Sequence, residues 1–437
     1  MKINLDEHIK AIEEWESLEI IGKVVQVVGL TMKIKGISPF IGEICKIYLP
    51  DKKKPVLTEA VGFKDDSTLL MPLGELTGIR PGCKVVPTGK SLKVAVGNCL
   101  LGKVLDGLGR PVNGKINMDT EEYLVDNQPP NPLSRKKIDN VLETGVRAID
   151  GLLTCGQGQR LGIFSGSGVG KSTLLGMIAR NTSADINVIA LIGERGREVK
   201  EFIDRDLGEE GLKRSVIVVV TSDQPALIRV KGALVATAIA EYFRNQEKNV
   251  LFMMDSVTRF AMAQREIGLA IGEPPTTKGY TPSVFAKLPR LLERAGTSSK
   301  GSITGLYNVL VDADDLNEPI SDAMRGILDG HIVLSRKLAA KNHYPSIDVL
   351  NSISRLMTEL TDEKHQYNAG KLKEYLSTYE ESEDLINIGA YTEGTNPKID
   401  KALKYFDKIN DFLKQEASEN KNSLDDTVKW VNSLFQD

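Results

Sequence analysis

The sequence predicts three successive architectures: an N-terminal β-barrel, a central α/β domain with a mostly parallel sheet, and a C-terminal helical domain. Three observations carry this. Short apolar runs broken by Gly, Pro, Asp and Asn crowd residues 19–93. From about residue 146, apolar runs that do not alternate recur, several separated by helix-like segments, as expected of strands covered on both faces. After about residue 365 the strand-like runs stop and helical periodicity takes over.

Taken in order, residues 1–18 place Leu5, Ile9, Ile12 and Trp15 at helical spacing among acids, which predicts an amphipathic helix. Packing on its own domain and docking to a partner are both open for it. Residues 19–93 contain the runs 23–29, 32–36 and 43–48, short strands in close succession that predict a small barrel, with a sandwich as the alternative. A Pro- and Asn-rich linker follows at 126–132. The central domain with its lead-in spans 94–365, and its strands are expected at 161–164, 188–192, 216–220, 250–254, 303–311 and 331–334. The helical domain spans 366–437, with helices expected at 371–388, 398–415 and 424–435. In the second of these, Ile399, Leu403, Phe406, Ile409 and Leu413 form one stripe, Asn396 is placed to cap, and Pro397 suits a first helical position.

Composition sets the outer bounds. A chain of 437 residues with 41% apolar and 26% charged residues fits two or three globular domains. A net charge of −3 shows no basic nucleic-acid footprint over the whole chain. Cys45, Cys83, Cys99 and Cys155 are scattered without metal-ligand spacing and read as reduced thiols of a cytosolic protein. The N-terminus lacks the apolar core of a signal peptide, and no run of 18 apolar residues suggests a membrane span.

The chemistry concentrates at Phe164-Ser165-Gly166-Ser167-Gly168-Val169-Gly170-Lys171-Ser172-Thr173. An apolar strand precedes it and a helix-like segment follows, the context a phosphate-binding loop requires. Backbone N–H groups from Gly166 to Thr173 would turn around a polyphosphate, Lys171 adds a fixed positive charge, and the Ser172 hydroxyl can ligate Mg²⁺. Ser165 replaces the first Gly of the strict pattern. The central domain is thus expected to be an α/β phosphate-loop domain that binds a nucleoside triphosphate, which one being open. Asp255 closes the apolar run 250–254, where an acid can orient Mg²⁺. Residues 193–198, Gly-Glu-Arg-Gly-Arg-Glu, follow another strand at the end where open α/β sheets bind ligands. Glu194 is the candidate carboxylate for polarising water, a solvated surface ion-pair cluster being the alternative. Spacing alone assigns nothing to Arg355, and Tyr344 before Pro345 suits either base stacking or loop packing.

These residues, with 144–156, 253–260, 273–280 and 344–355, resemble the type III protein-export ATPases over nearly the whole chain, the flagellar branch most closely. That family is related to the catalytic subunits of rotary ATP synthases, which implies that the central α/β phosphate-loop domain is a RecA-like ATPase. The resemblance implies that Lys171 and the loop amides hold the ATP phosphates, and that Glu194 activates water with support from Arg195 and Glu198. It implies that Ser172, Asp255 and the Glu198 water shell serve Mg²⁺, with Arg259 close by. Tyr344 would stack on adenine, with Tyr391 as the opposite wall, and Arg355 would be an arginine finger donated across a subunit interface.

The resemblance further implies a homohexameric ring in the cytoplasm, peripheral at the inner face of the cell membrane. A coiled-coil stalk would occupy the central hole near residues 268–290. A stator-like regulator would dock on the N-terminal helix, and the C-terminal helices would face an export gate and chaperone–substrate complexes. No specific nucleic-acid partner is expected. The alternatives are an injectisome ATPase, an ATP synthase catalytic subunit, and a Rho-like RNA translocase. Against the last, residues 19–93 hold only Phe40, Tyr48 and Phe63 as aromatics.

Overall fold

The computed structural model describes residues 20–50, 54–115, 120–311, 315, 317–419 and 422–436. The amphipathic segment expected at 1–18 lies outside them. The chain divides into two compact units between Leu92 and Lys93.

The first unit is a closed antiparallel barrel. Its strands are β1 (Gly22–Val28), β2 (Thr31–Lys35), β3 (Glu43–Tyr48), β4 (Val56–Lys64), β5 (Ser67–Pro72) and β6 (Lys84–Ser91), in the order β1-β2-β5-β4-β3-β6. Pairing of Gly22 with Val85 closes the ring, which leaves no open edge. Met32, Ile34, Cys45, Ile47, Leu70 and Val85 fill the interior. Burial, with Glu43 nearby, pushes the Cys45 thiol up to about 12, so it stays a protonated apolar filler. All four cysteines are free thiols.

The second unit holds the sheet that positions the site. A two-stranded ribbon, β7 (Lys93–Val96) with β9 (Glu121–Leu124), flanks it, and β8 (Val104–Leu105) forms one edge. The main strands are β10 (Arg160–Ser165), β11 (Ile186–Glu194), β12 (Ser215–Thr221), β13 (Asn249–Asp255), β15 (Ser302–Leu310) and β16 (Gly330–Leu334). The short β14 (Gly296–Thr297) pairs off the side of β15, and β17 (Ile347–Ser354) lies antiparallel to β16 at the other edge. The order is β17-β16-β10-β15-β13-β11-β12-β8, with every pairing from β16 to β8 parallel. Parallel strands need crossovers, so the carboxyl ends of β10, β15, β13 and β11 gather at one rim of the sheet. The first eight residues of β11, from Ile186 to Gly193, are buried, which is why the run shows no alternation in sequence.

Helices cover this sheet. The labelled ones are α1 (Arg147–Leu152), α2 (Lys171–Asn181), α3 (Ala226–Asn245), α4 (Val257–Ile271) and α5 (Pro282–Leu292). A buried, bidentate Arg294–Glu241 pair, 2.8 Å at both contacts, ties α3 to the chain after α5. Three further helices, α6 (Glu363–Asn387), α7 (Pro397–Leu413) and α8 (Leu424–Ser433), make up the helical region. Asn396 caps α7 by accepting from Lys398 N at 3.0 Å, and Pro397 is its first residue. The buried stripe of α7 is rotated from the expected one: Ala402, Tyr405 and Phe412 are buried beside Ile399, Ile409 and Leu413. Leu403 and Phe406 are half-buried, because Phe406 leaves the core to stack on Tyr379, with ring centroids 3.5 Å apart. Among the described residues no helix is long and apolar enough to cross a membrane.

Candidate active site

The strand order decides which side chains meet. β10 ends at Ser165 and releases the glycine-rich loop, which turns through left-handed Gly168 (φ 79°) and Gly170 (φ 83°). A Cβ at Gly170 would press on the Tyr344 ring at 3.1 Å, so both the turn and the neighbouring aromatic require glycine there. α2 starts at Lys171, with its unsatisfied N–H groups at the loop. Next to β10, β15 supplies Asn308, then β13 supplies Asp255, then β11 supplies Glu194.

These groups form one network. Lys171 Nζ donates to Asp255 Oδ1 at 2.7 Å and lies 3.8 Å from Glu194 Oε1. Asn308 Nδ2 donates to the same Asp255 oxygen at 2.6 Å. The side chains of Lys171, Glu194 and Asp255 are 15%, 12% and 7% exposed. Burial, then the Asp255 carboxylate, push the Glu194 carboxyl up to about 7, while the Lys171 ammonium pulls it back. Burial pulls the Lys171 ammonium down, but Asp255 and Glu194 outweigh it and the net shift is upward. Glu194 Oε1 is buried without a hydrogen-bond partner among the described residues, an acceptor available to a further donor. Gly193, left-handed at φ 74°, lets Arg259 pack against the turn: a Cβ would meet the Arg259 side chain at 2.8 Å.

A cavity of about 1090 Å³ opens over this network. Of the residues singled out from sequence, Gly166, Ser167, Gly168, Gly170, Lys171, Ser172, Thr173, Glu194, Arg195, Glu198 and Tyr344 line it. Val169 is buried beneath the loop, and its carbonyl accepts from Ser346 Oγ at 2.6 Å. Asp255 sits behind Lys171. Arg195 and Glu198 pair at 3.3 Å and are largely exposed. Two candidates lie elsewhere. Arg355 follows β17 as an exposed residue whose Nη2 donates to the Arg325 carbonyl at 3.2 Å. Tyr391 is not brought to the cavity of this chain: its hydroxyl donates to Asp400 Oδ1 at 2.7 Å in the loop before α7. That bond and the turn around it hold the ring at the helix entrance, and the segment after α7, Gln415 and Ala417, lines the cavity near Tyr344 instead.

Sequence reasoning missed Asn308, Arg336 and Gln415. Asn308 is the one amide in the buried strand Ser302–Leu310, set between Tyr307 and Val309, a readable signal. Arg336 follows β16 at the same rim, so the strand-end rule that found Glu194 reaches it too. Nothing local marks Gln415. The donor set suits Mg²⁺: the Ser172 hydroxyl and Asp255 carboxylate offer oxygen alone, as a hard cation requires. Among the described residues no group of three His, Cys, Asp or Glu is placed to hold a metal ion.

A parallel sheet with a phosphate loop and a strand-end Glu lining one cavity, and a strand-end Asp behind the loop lysine, defines a phosphate-loop nucleotide hydrolase. Residues 145–354 match the ATP synthase alpha/beta family, nucleotide-binding domain, and 24–89 match the beta-barrel domain of that family. Residues 361–433 match the T3SS EscN ATPase C-terminal domain. The chain is 57% identical over 413 residues to the flagellum-specific ATP synthase of Bacillus subtilis, covering 94% of each. It is 50% identical over 417 residues to a type 3 secretion system ATPase of Xanthomonas euvesicatoria, covering 95% of this chain and 94% of that one. The assembled ATPase EscN of enteropathogenic E. coli superposes with a TM-score of 0.88 at 47% identity, over 94% of this chain and 99% of that one. The chain belongs to the family of type III secretion and flagellum-specific ATPases.

Proposed function

We propose that this chain hydrolyses MgATP to energise export of flagellar proteins through a type III secretion apparatus. The observation that carries the chemistry is the convergence of Lys171, Asp255 and Glu194 beneath one cavity at the strand carboxyl ends. The loop amides and the Lys171 ammonium bind the phosphates. Ser172 and Asp255 hold Mg²⁺, with Glu198 in the surrounding water shell. The ion, when bound, neutralises charge on the β- and γ-phosphates. Glu194 accepts a hydrogen bond from water with its unpartnered oxygen and takes the proton as the water oxygen bonds to the γ-phosphorus and the bond to ADP breaks. Arg195 steadies the Glu198 carboxylate beside it. Tyr344, half-exposed at the cavity wall beside Gly170, stacks on adenine.

The working unit is a homohexameric ring at the cytoplasmic face of the membrane, with Arg355 of one copy completing the site of the next. Assembled EscN has also been solved in complex with its central stalk EscO, and its likeness to this chain supports a coiled-coil stalk as partner here. The regulator docks on residues 1–18, and the C-terminal helices meet the gate and the chaperone–substrate complexes. The EscN likeness equally favours an injectisome as the apparatus served. Disrupting the gene separates the two: lost motility and retained flagellar substrates support the flagellar assignment, whereas lost effector secretion with normal swimming overturns it. For the chemistry, Glu194→Gln is expected to lower turnover about 10²–10⁴-fold while MgATP binding survives. Retained turnover removes Glu194 from the role.

A further inference from the structure

Gln415 is 3% exposed yet lines the nucleotide cavity, and its backbone N–H and both polar atoms of its side chain are hydrogen-bonded. Its N–H donates to the Tyr344 carbonyl at 2.9 Å. Its side-chain Nε2 donates to the Gly145 carbonyl at 2.9 Å, and Oε1 accepts from Arg147 N at 2.9 Å. The side-chain amide thus holds the Gly145–Arg147 turn while the backbone N–H of the same residue holds Tyr344, so two segments far apart in sequence meet at Gln415. The turn and the end of α7 are each fixed from their other side. Asp150 accepts from Thr144 N, Thr144 Oγ1 and Gly145 N at 2.8, 2.7 and 2.9 Å, which shapes the turn that presents Gly145 and Arg147. The buried Arg147 guanidinium caps the end of α7, donating from Nε to the Phe412 carbonyl at 3.0 Å and bonding to the Lys414 carbonyl and Glu419. It also packs over the Trp430 ring of α8, 4.9 Å from the centroid.

We propose that Gln415, braced by Arg147, is a positioning residue that holds the Tyr344 wall in register with the phosphate loop and so sets affinity for the nucleoside part of the nucleotide. The proposal rests on the nucleotide reading of the cavity. The Gln415 N–H reaches Tyr344 through that residue's backbone carbonyl, and none of the three hydrogen bonds named above goes to Lys171, Asp255 or Glu194. The phosphate side keeps its own contacts when Gln415 is changed.

The test compares ligands with and without a base. Gln415→Ala removes the side-chain amide and leaves Gly145 O and Arg147 N unsatisfied. It is expected to weaken binding of MgADP and raise the KM for MgATP about 5- to 30-fold, with kcat and the affinity for magnesium tripolyphosphate within about twofold. Tyr344→Ala should produce a similar, non-additive loss, because both act on one wall. In a Trp15→Phe background Trp430 is the remaining tryptophan, and its emission should shift when MgADP binds and shift less in Gln415→Ala. If Gln415→Ala does not fold, Gln415→Glu carries the test: it keeps the acceptor for Arg147 N, loses the donor to Gly145 O, and should show the same base-selective loss. Equal weakening of MgADP and tripolyphosphate, or additivity with Tyr344→Ala, overturns the inference. A wild-type chain that binds tripolyphosphate but no nucleotide overturns the nucleotide reading itself.

Discussion

The Lys171 corner and the Arg355 corner carry charge in opposite ways. Around Lys171 every charge is compensated inside one chain: the ammonium has Asp255 at 2.7 Å and Glu194 at 3.8 Å, all three mostly buried. Arg355 sits on the exposed end of the edge strand β17, bonded to a backbone carbonyl and without an acidic partner among the described residues. Ile353 beside it is 48% exposed. Desolvating a charge is costly unless a partner waits, so a buried triad marks a preformed half-site. An exposed arginine beside an exposed isoleucine on a sheet edge suits contact with another surface. One chain type carrying both halves can complete a site at every interface of a closed ring.

The largest expected effect tests that division. Arg355→Ala should cut hydrolysis by about 10³-fold or more, as loss of an arginine finger does, while MgATP binding to the isolated chain stays near wild type. Lys171→Ala should lose binding as well. Mixed, the two inactive variants should regain measurable turnover, because on the order of a quarter of interfaces in random rings pair an intact Lys171 with an intact Arg355. Steady-state hydrolysis of mixtures, with mixed rings verified by mass, gives the answer. Absence of rescue places both residues in one chain's site and removes the contrast.

The same contrast explains what could be read from sequence. The Lys171 half was legible because a glycine-rich loop follows one buried apolar strand and Asp255 and Glu194 each end another, and such a run followed by an acid stands out in one dimension. The six parallel strands were legible as buried runs without alternation, and the barrel through the turn residues that break its short strands. Closure of β1 on β6 was not, since that pairing joins residues about sixty positions apart. Tyr391 and Gln415 show the limit most clearly. Both lie in the helical region, where polarity and spacing do not tell which loop folds back to the cavity. Tyr391 is retained by Asp400, whereas Gln415 is drawn in by Gly145, Arg147 and Tyr344. Arg355 had no local signal either, because the role proposed for it depends on a second copy.

A smaller effect sharpens the electrostatic side. Burial and Asp255 raise the Glu194 carboxyl from an ordinary 4.5 to about 7. Between those values the folded free enzyme holds a proton that the unfolded chain releases. The stability this carboxyl contributes is full below about 4.5 and is lost as pH rises through about 7. Catalysis runs the other way, since the base must be ionised. The pH profile of kcat/KM should climb about tenfold per unit below pH 7 and level off above it. In Glu194→Gln that limb should vanish from the residual rate. A limb that persists in the variant assigns the titration to another group.

The smallest effect concerns residues 1–18, which precede every residue assigned to either half-site. Deleting them should leave basal hydrolysis at high protein concentration within about twofold, because all groups that bind phosphate, water and base lie after residue 144. Regulator binding, measured by pull-down or calorimetry, should weaken strongly, since an amphipathic helix docks through its apolar stripe. The two readouts together separate the roles open for this segment. Lost hydrolysis at every concentration makes it part of the chain's own fold. Lost hydrolysis only at low concentration makes it a ring contact, which moves it to the Arg355 side of the contrast, where function depends on a neighbour.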